Sequence, residues 1–153
     1  MALWGTRLSG GCQCGAVRYR LAGRPIRASI CHCRMCQKAC GQPFMAFAFV
    51  KQDDLQWTRG APSVFKSSNM AQRGFCSACG TPLAYKFHAD EIAVMTCTLD
   101  DPTAAPPTEQ YGVESMVPWC AAIGTLPGVS TEDDQGPEVV AKFASYQHPD
   151  HDT

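Results

Sequence analysis

Ten cysteines among 153 residues are the chemically loaded feature of this sequence, and their spacing says what they are for. Cys12-Gln13-Cys14-Gly15 and Cys76-Ser77-Ala78-Cys79-Gly80 are short-spaced pairs, and Cys31-His32-Cys33-Arg34-Met35-Cys36 puts three thiols into six residues. Neighbours this close make poor disulfides with each other, because that bond needs particular Cα separations and Cβ directions. They suit a shared metal ion, since thiolates must converge to about 2.3 Å from one zinc. Metal ligation in a reducing compartment is therefore expected over a disulfide scaffold.

If Cys12 and Cys14 lie in a strand, residues two apart point to one side and both sulfurs can meet one ion. Two ligands do not complete a zinc site, and the C-x-x-C-G turn at Cys76 and Cys79 offers the second pair. Gly80 there can take a positive φ, which lets backbone N–H groups approach the sulfurs. Four thiolates from two distant segments make a closed, structural site.

Cys31, Cys33 and Cys36 form a compact tripod. Three protein ligands leave one zinc position for water or a substrate thiol, the mark of a catalytic site. Two neighbours compete to close it: His32 inside the motif, and Cys40, four residues after Cys36 on one helical face. A four-thiolate iron–sulfur cluster is a further reading of the same residues. Cys97 and Cys120 stand alone and are read as small buried residues. His88, His148 and His151 are read as solvent-exposed. Arg34, Lys38 and Arg73 flank the motifs, either as holders of a ligand carboxylate or as surface charges.

The elements that must position these residues read as β. Residues 17–21 alternate apolar Val17, Tyr19 and Leu21 with Arg18 and Arg20, the period of a half-buried strand. Residues 44–50 are apolar throughout, which suits a strand covered on both faces. Leu55 and Trp57, residues 63–68, and residues 91–99 supply further short strands, with Gly and Pro between them. Only Arg34–Cys40 reads as a short helix. The fold class is all-β with little helix, at the strand spacing of a sandwich or barrel.

With 45% apolar and 18% charged residues the chain can bury a core, and it has no run of 18 apolar residues to span a membrane. A net charge of −1 gives no basis for nucleic-acid binding. Residues 1–7 carry no export-signal pattern, so a cytoplasmic location is expected. Character changes near residue 130: the chain is net +4 before it and net −5 after. Residues 1–130 are read as one zinc-binding domain and 131–153 as an acidic, partly disordered extension. Within the extension, residues 139–146 could dock as a short strand or helix, and the polar end frays.

The order of motifs resembles a known family. Gly-Gly-Cys-Gln-Cys-Gly-Ala-Val-Arg-Tyr precedes Cys-His-Cys-Arg-Met-Cys-Gln-Lys and Gly41-Gln-Pro-Phe. Leu55-Gln-Trp-Thr-Arg-Gly, Phe65-Lys-Ser-Ser, Arg73-Gly-Phe-Cys-Ser-Ala-Cys-Gly-Thr-Pro-Leu and Leu99-Asp-Asp-Pro follow. Over residues 8–127 this is similar to the glutathione-dependent formaldehyde-activating enzyme family, which includes centromere protein V. The resemblance implies an Mss4-like, β-sandwich-like zinc fold with two zinc ions. Cys12, Cys14, Cys76 and Cys79 match the structural ligands, and Cys31, Cys33 and Cys36 the catalytic or labile ones. It also implies a carbon–sulfur lyase-type activity, joining glutathione to formaldehyde. Cys40 and Cys97 are departures from the family pattern. The competing function is a non-enzymatic zinc-binding structural or interaction module. The substrate pair and the oligomeric state are not legible in the sequence.

Overall fold

The computed structural model describes residues 8–151. Residues 1–7, where no export signal was read, and residues 152–153 at the end of the acidic tail lie outside the described residues. Ten strands are described: β1 Leu8–Gly11, β2 Arg18–Leu21, β3 Arg27–Cys31, β4 Met45–Lys51, β5 Leu55–Arg59, β6 Ser63–Lys66, β7 Gln72–Phe75, β8 Pro82–Lys86, β9 Glu91–Met95 and β10 Glu109–Tyr111. The helices are α1 Arg34–Cys40, α2 Thr131–Gln135 and α3 Pro137–Lys142. The all-β reading with little helix holds, and α1 spans the residues read as helical. None of these helices is long and apolar enough to cross a membrane.

The strands form a three-stranded sheet in the order β1-β2-β5 and a seven-stranded sheet in the order β10-β3-β4-β9-β8-β7-β6. All pairings are antiparallel except β10 with β3. The two sheets share one core: Tyr19 and Leu21 from the smaller sheet pack with Val50, Leu83 and Val94 from the larger. The apolar run around β4 explains itself, because β4 sits between β3 and β9 with both faces covered. Ala48 and Val50 are fully buried there. A second apolar cluster of Met45, Phe47, Ala93 and Met95 supports α1 through Cys36.

Three local expectations change. Cys12 and Cys14 lie in a turn after β1, not in a strand. Cys12 N donates to Val17 O over 3.0 Å and Gly15 N to Cys12 O over 3.1 Å, and Gly15 turns the chain at φ 76°. Arg18, read as facing outward, is buried, because Asp100 takes both its terminal nitrogens over 2.8 and 2.6 Å. The segment 139–146 does not dock as read: α3 leaves Val139 and Val140 exposed, and Phe143 and Tyr146 are 77% and 93% exposed. The strands β1, β3, β7, β8 and β10 escaped the sequence pattern, being three to five residues long with Gly, Ser, Arg or Gln at positions that only pairing covers.

Candidate metal centre

Two strand-to-strand turns build the first cluster. The β1–β2 turn carries Cys12 and Cys14, and the β7–β8 turn carries Cys76 and Cys79, with Gly80 at φ 79° and its N–H on Cys76 O at 2.8 Å. Gln13 N donates to Thr81 Oγ1 over 3.1 Å and so ties the two turns together. The four sulfurs lie within 4.8 Å of one another, with Cys12 and Cys14 at 3.6 Å and Cys14 and Cys76 at 3.9 Å.

Hydrogen bonding divides these thiols. Val17 N donates to Cys12 Sγ over 3.2 Å. Burial works against the Cys79 thiolate, yet the Thr81 hydroxyl and N–H bring its thiol down to about 6. At Cys14 the Ala16 N–H favours the thiolate, but the thiols of Cys79 and Cys12 outweigh it and push Cys14 up to about 12. Four sulfurs crowded this closely cannot all ionise without a cation among them.

The second cluster is made by the exit from β3 into α1. Cys31 ends the strand, Cys33 caps the helix by accepting from Cys36 N over 3.4 Å, and Cys36 lies in its first turn. These three sulfurs also lie within 4.8 Å of one another. A hydrogen bond from the Cys36 thiol, with a lesser contribution from Arg73, holds Cys31 down at about 5. The same bond, together with burial, pushes Cys36 up.

Neither rival closes the trio. The His32 side chain is buried and turned the other way, with Nε2 2.9 Å from Gln110 Oε1 and its ring edge-on to Phe44. Cys40 Sγ donates instead to Cys36 O over 3.0 Å, one turn back along α1. Instead, the trio opens into a cleft of about 360 Å³, walled by Phe47, Phe49, Tyr85 and Tyr111. His88 is exposed, as read, at the rim of this cleft.

Of the residues that hold the trio, Gln37, Ser115 and Tyr111 carried no sequence signal. Gln37 is buried and donates to His32 O over 2.6 Å and Ser115 O over 2.9 Å. His32 N donates to Tyr111 O over 2.9 Å, locking the motif to β10. Arg34 donates to Gln37 Oε1. Arg73, read as a flanking charge, is buried and donates to Cys36 Sγ over 3.4 Å. Cys97 is exposed and Cys120 half-buried, against the expectation of burial.

The described residues form a two-layer β protein that gathers one four-thiol and one three-thiol cluster, each able to hold a metal ion. The sequence pattern of the glutathione-dependent formaldehyde-activating enzymes matches residues 7–115, and the chain belongs to that family. A Schizosaccharomyces pombe protein described as an uncharacterized lyase is 32% identical over 78 residues, 51% of this chain and 56% of that one. A Halomonas elongata protein, provisionally named a glutathione-dependent formaldehyde-activating enzyme, is 31% identical over 84 residues, 50% of this chain and 54% of its own. The chain thus spans about half the length of these curated relatives. A crystal structure of a Rhodobacter sphaeroides protein shares the fold, with a TM-score of 0.54 at 23% identity over 67% of this chain and 98% of that one.

Proposed function

We propose that the chain is a zinc enzyme of the carbon–sulfur lyase type, joining a thiol such as glutathione to formaldehyde or a related small aldehyde. The observation that carries this reading is the one-sided trio: three converging sulfurs with a cleft over them, joined by no fourth His, Cys, Asp or Glu among the described residues. The donor sets fit zinc. Tetrahedral thiolates at about 2.3 Å from an ion stand about 3.8 Å apart, and the Cys12–Cys14 and Cys14–Cys76 separations in the four-thiol cluster, 3.6 and 3.9 Å, fall either side of that value. Cys12, Cys14, Cys76 and Cys79 would hold a structural ion. Cys31, Cys33 and Cys36 would hold a catalytic or labile one.

When bound at the trio, zinc supplies a Lewis acid that favours a thiolate over a thiol as fourth ligand. The protein does the rest by placement. The apolar rings of Phe47, Phe49 and Tyr85 line the cleft beside the sulfurs and strengthen charge interactions there. Gln37 and the β10 contact hold the motif rigid, so the substrate sulfur and the aldehyde carbon meet at fixed geometry. The new bond joins the substrate sulfur to the carbonyl carbon, and the carbonyl oxygen takes up the proton the thiol has shed. No side chain in the cleft is assigned as the general base.

Residues 1–130 would carry this activity, in the cytoplasm, with 131–153 as an acidic extension. The test is steady-state formation of the thiol–aldehyde adduct above the uncatalysed background. Cys33→Ser should abolish the gain while leaving the four-thiol ion bound; a Cys33→Ser chain as fast as wild type would end the proposal. One observation favours a second reading, a non-enzymatic interaction module: Trp119, Leu126, Val129, Phe143 and Tyr146 stand exposed along the C-terminal segment. Wild-type protein with both ions bound and no rate above background would move the assignment there.

A further inference from the structure

Arg73 lies on β7 and is only 8% exposed, yet among the described residues no carboxylate pairs with it. Its nitrogens are all engaged by neutral or sulfur groups. Nε donates to Ser67 Oγ over 3.0 Å, Nη1 meets Met45 Sδ at 3.4 Å, and Nη2 donates to Cys36 Sγ at 3.4 Å. Its guanidinium carbon sits 4.9 Å from the Tyr85 ring centroid. A buried cation with no anion is strongly disfavoured, so its counter-charge has to come from what it faces. Beyond Ser67, Met45 and Tyr85, what it faces is Cys36 of the sulfur trio.

Three thiolates around a divalent ion carry a net charge of −1, which the guanidinium cancels. A neutral assembly is the one that apolar walls of Phe47, Phe49 and Tyr85 can retain. The hydrogen bond has a second consequence. A thiolate that accepts from a guanidinium gives less electron density to its metal, so the ion draws more strongly on a fourth ligand. This offsets the weak Lewis acidity expected of an all-thiolate site.

We propose that Arg73 is the positioning residue of the three-thiol site, acting through Cys36 to neutralise the ion-loaded trio and sharpen its pull on the substrate thiol. The inference rests on the functional reading only in requiring an ion at the trio. It is tested on full-length zinc-loaded protein titrated with a chelator, with ions counted per chain by native mass spectrometry. The ion at the four-thiol cluster serves as internal reference.

Arg73→Met should release the second ion at about 10–100-fold lower chelator than wild type, the usual effect of losing an outer partner of a ligand, with the first ion unaffected. Arg73→Lys keeps the charge but not the planar fork, and should fall between the two. Equal retention of the second ion in wild type and Arg73→Met would overturn the inference alone. A wild type holding a single ion, even with zinc in excess, would overturn the functional reading and the inference with it. Should Arg73→Met lose both ions by failing to fold, Arg73→Lys loaded with cobalt decides. A shift in its thiolate-to-metal absorption from wild type supports the role of Arg73, and an unshifted band overturns it.

Discussion

The backbone N–H of His148 donates to Gln13 O over 2.7 Å, which lays the end of the acidic tail on the turn carrying Cys12 and Cys14. The attachment continues at Arg18 Nη2, which donates to His151 O over 2.7 Å. The His148 ring fills the space beside Gly15, where an added Cβ would come within 2.3 Å of its Cδ2. The tail thus rests on the turn that carries Cys12 and Cys14, a contact its polar composition did not signal.

Removing residues 147–153 should therefore destabilise the chain through the first cluster. Two lost hydrogen bonds contribute about 2 kcal/mol together, and at this size that lowers Tm by about 4–8 °C. Thermal unfolding followed by circular dichroism measures the shift. The truncated chain should also give up its first ion to chelator faster. An unchanged Tm would mean the tail contact carries no weight.

Asp100 joins β1 and β2 to the loop after β9. Burial opposes its carboxylate, but the hydrogen bonds from Arg18 and Ser9 outweigh this and hold Asp100 below its usual value. A depressed folded value contributes stability that is present above the unfolded value, about 3.9, and is lost as pH falls through the folded one. Asp100→Asn should cost about 3 kcal/mol at neutral pH, because the buried Arg18 guanidinium loses the Asp100 carboxylate that takes both its terminal nitrogens. The gap between wild type and variant in urea denaturation should stay constant from about pH 7 to 5 and narrow below about pH 4. A gap independent of pH down to about 3 would assign the loss to packing instead of charge.

Gly112 faces the trio from the other side. It sits at φ 63°, and an added Cβ would lie 2.8 Å from Cys33 N and 3.2 Å from Cys33 Cβ. Gly112→Ala should cost about 1–2 kcal/mol from the left-handed backbone alone, with further loss from pushing Cys33 off the cluster. Native mass spectrometry should show the second ion depleted and the first retained. Full occupancy of both would mean the β10 loop yields without disturbing Cys33.

Cys40 Sγ faces the carbonyls of Cys36 and Phe44 and lies outside the sulfur trio. Cys40→Ala should keep two ions per chain and change the adduct-forming rate by less than about tenfold, that is, by under about 1.4 kcal/mol. Loss of the second ion would show that Cys40 swings in to complete the site.

Much of the chemistry was legible because it is local. Cys31, Cys33 and Cys36 are close in sequence, and a turn into a short helix brings their sulfurs together with little help from the rest of the chain. The pairing of Cys12 and Cys14 with Cys76 and Cys79 was legible for another reason: neither pair can complete a tetrahedral site alone. The long apolar strand β4 declared itself because it is covered on both faces. The short strands β1, β3, β7, β8 and β10 did not, since their residues are held by neighbours distant in sequence.

What the sequence by itself determined was the donor set: which sulfurs cluster, and that all-β scaffolding must carry them. Whether the trio is open was decided by tertiary structure alone. His32 and Cys40 are as near in sequence as the three clustered cysteines. Only the placement of Gln110 on β10 and of the Cys36 carbonyl turns them away. Arg73 was likewise undetermined, because a lone arginine reads as surface charge until the fold buries it against a sulfur. Bonds within a short segment are constrained by chain geometry, whereas contacts across sheets depend on register and packing set by the whole core.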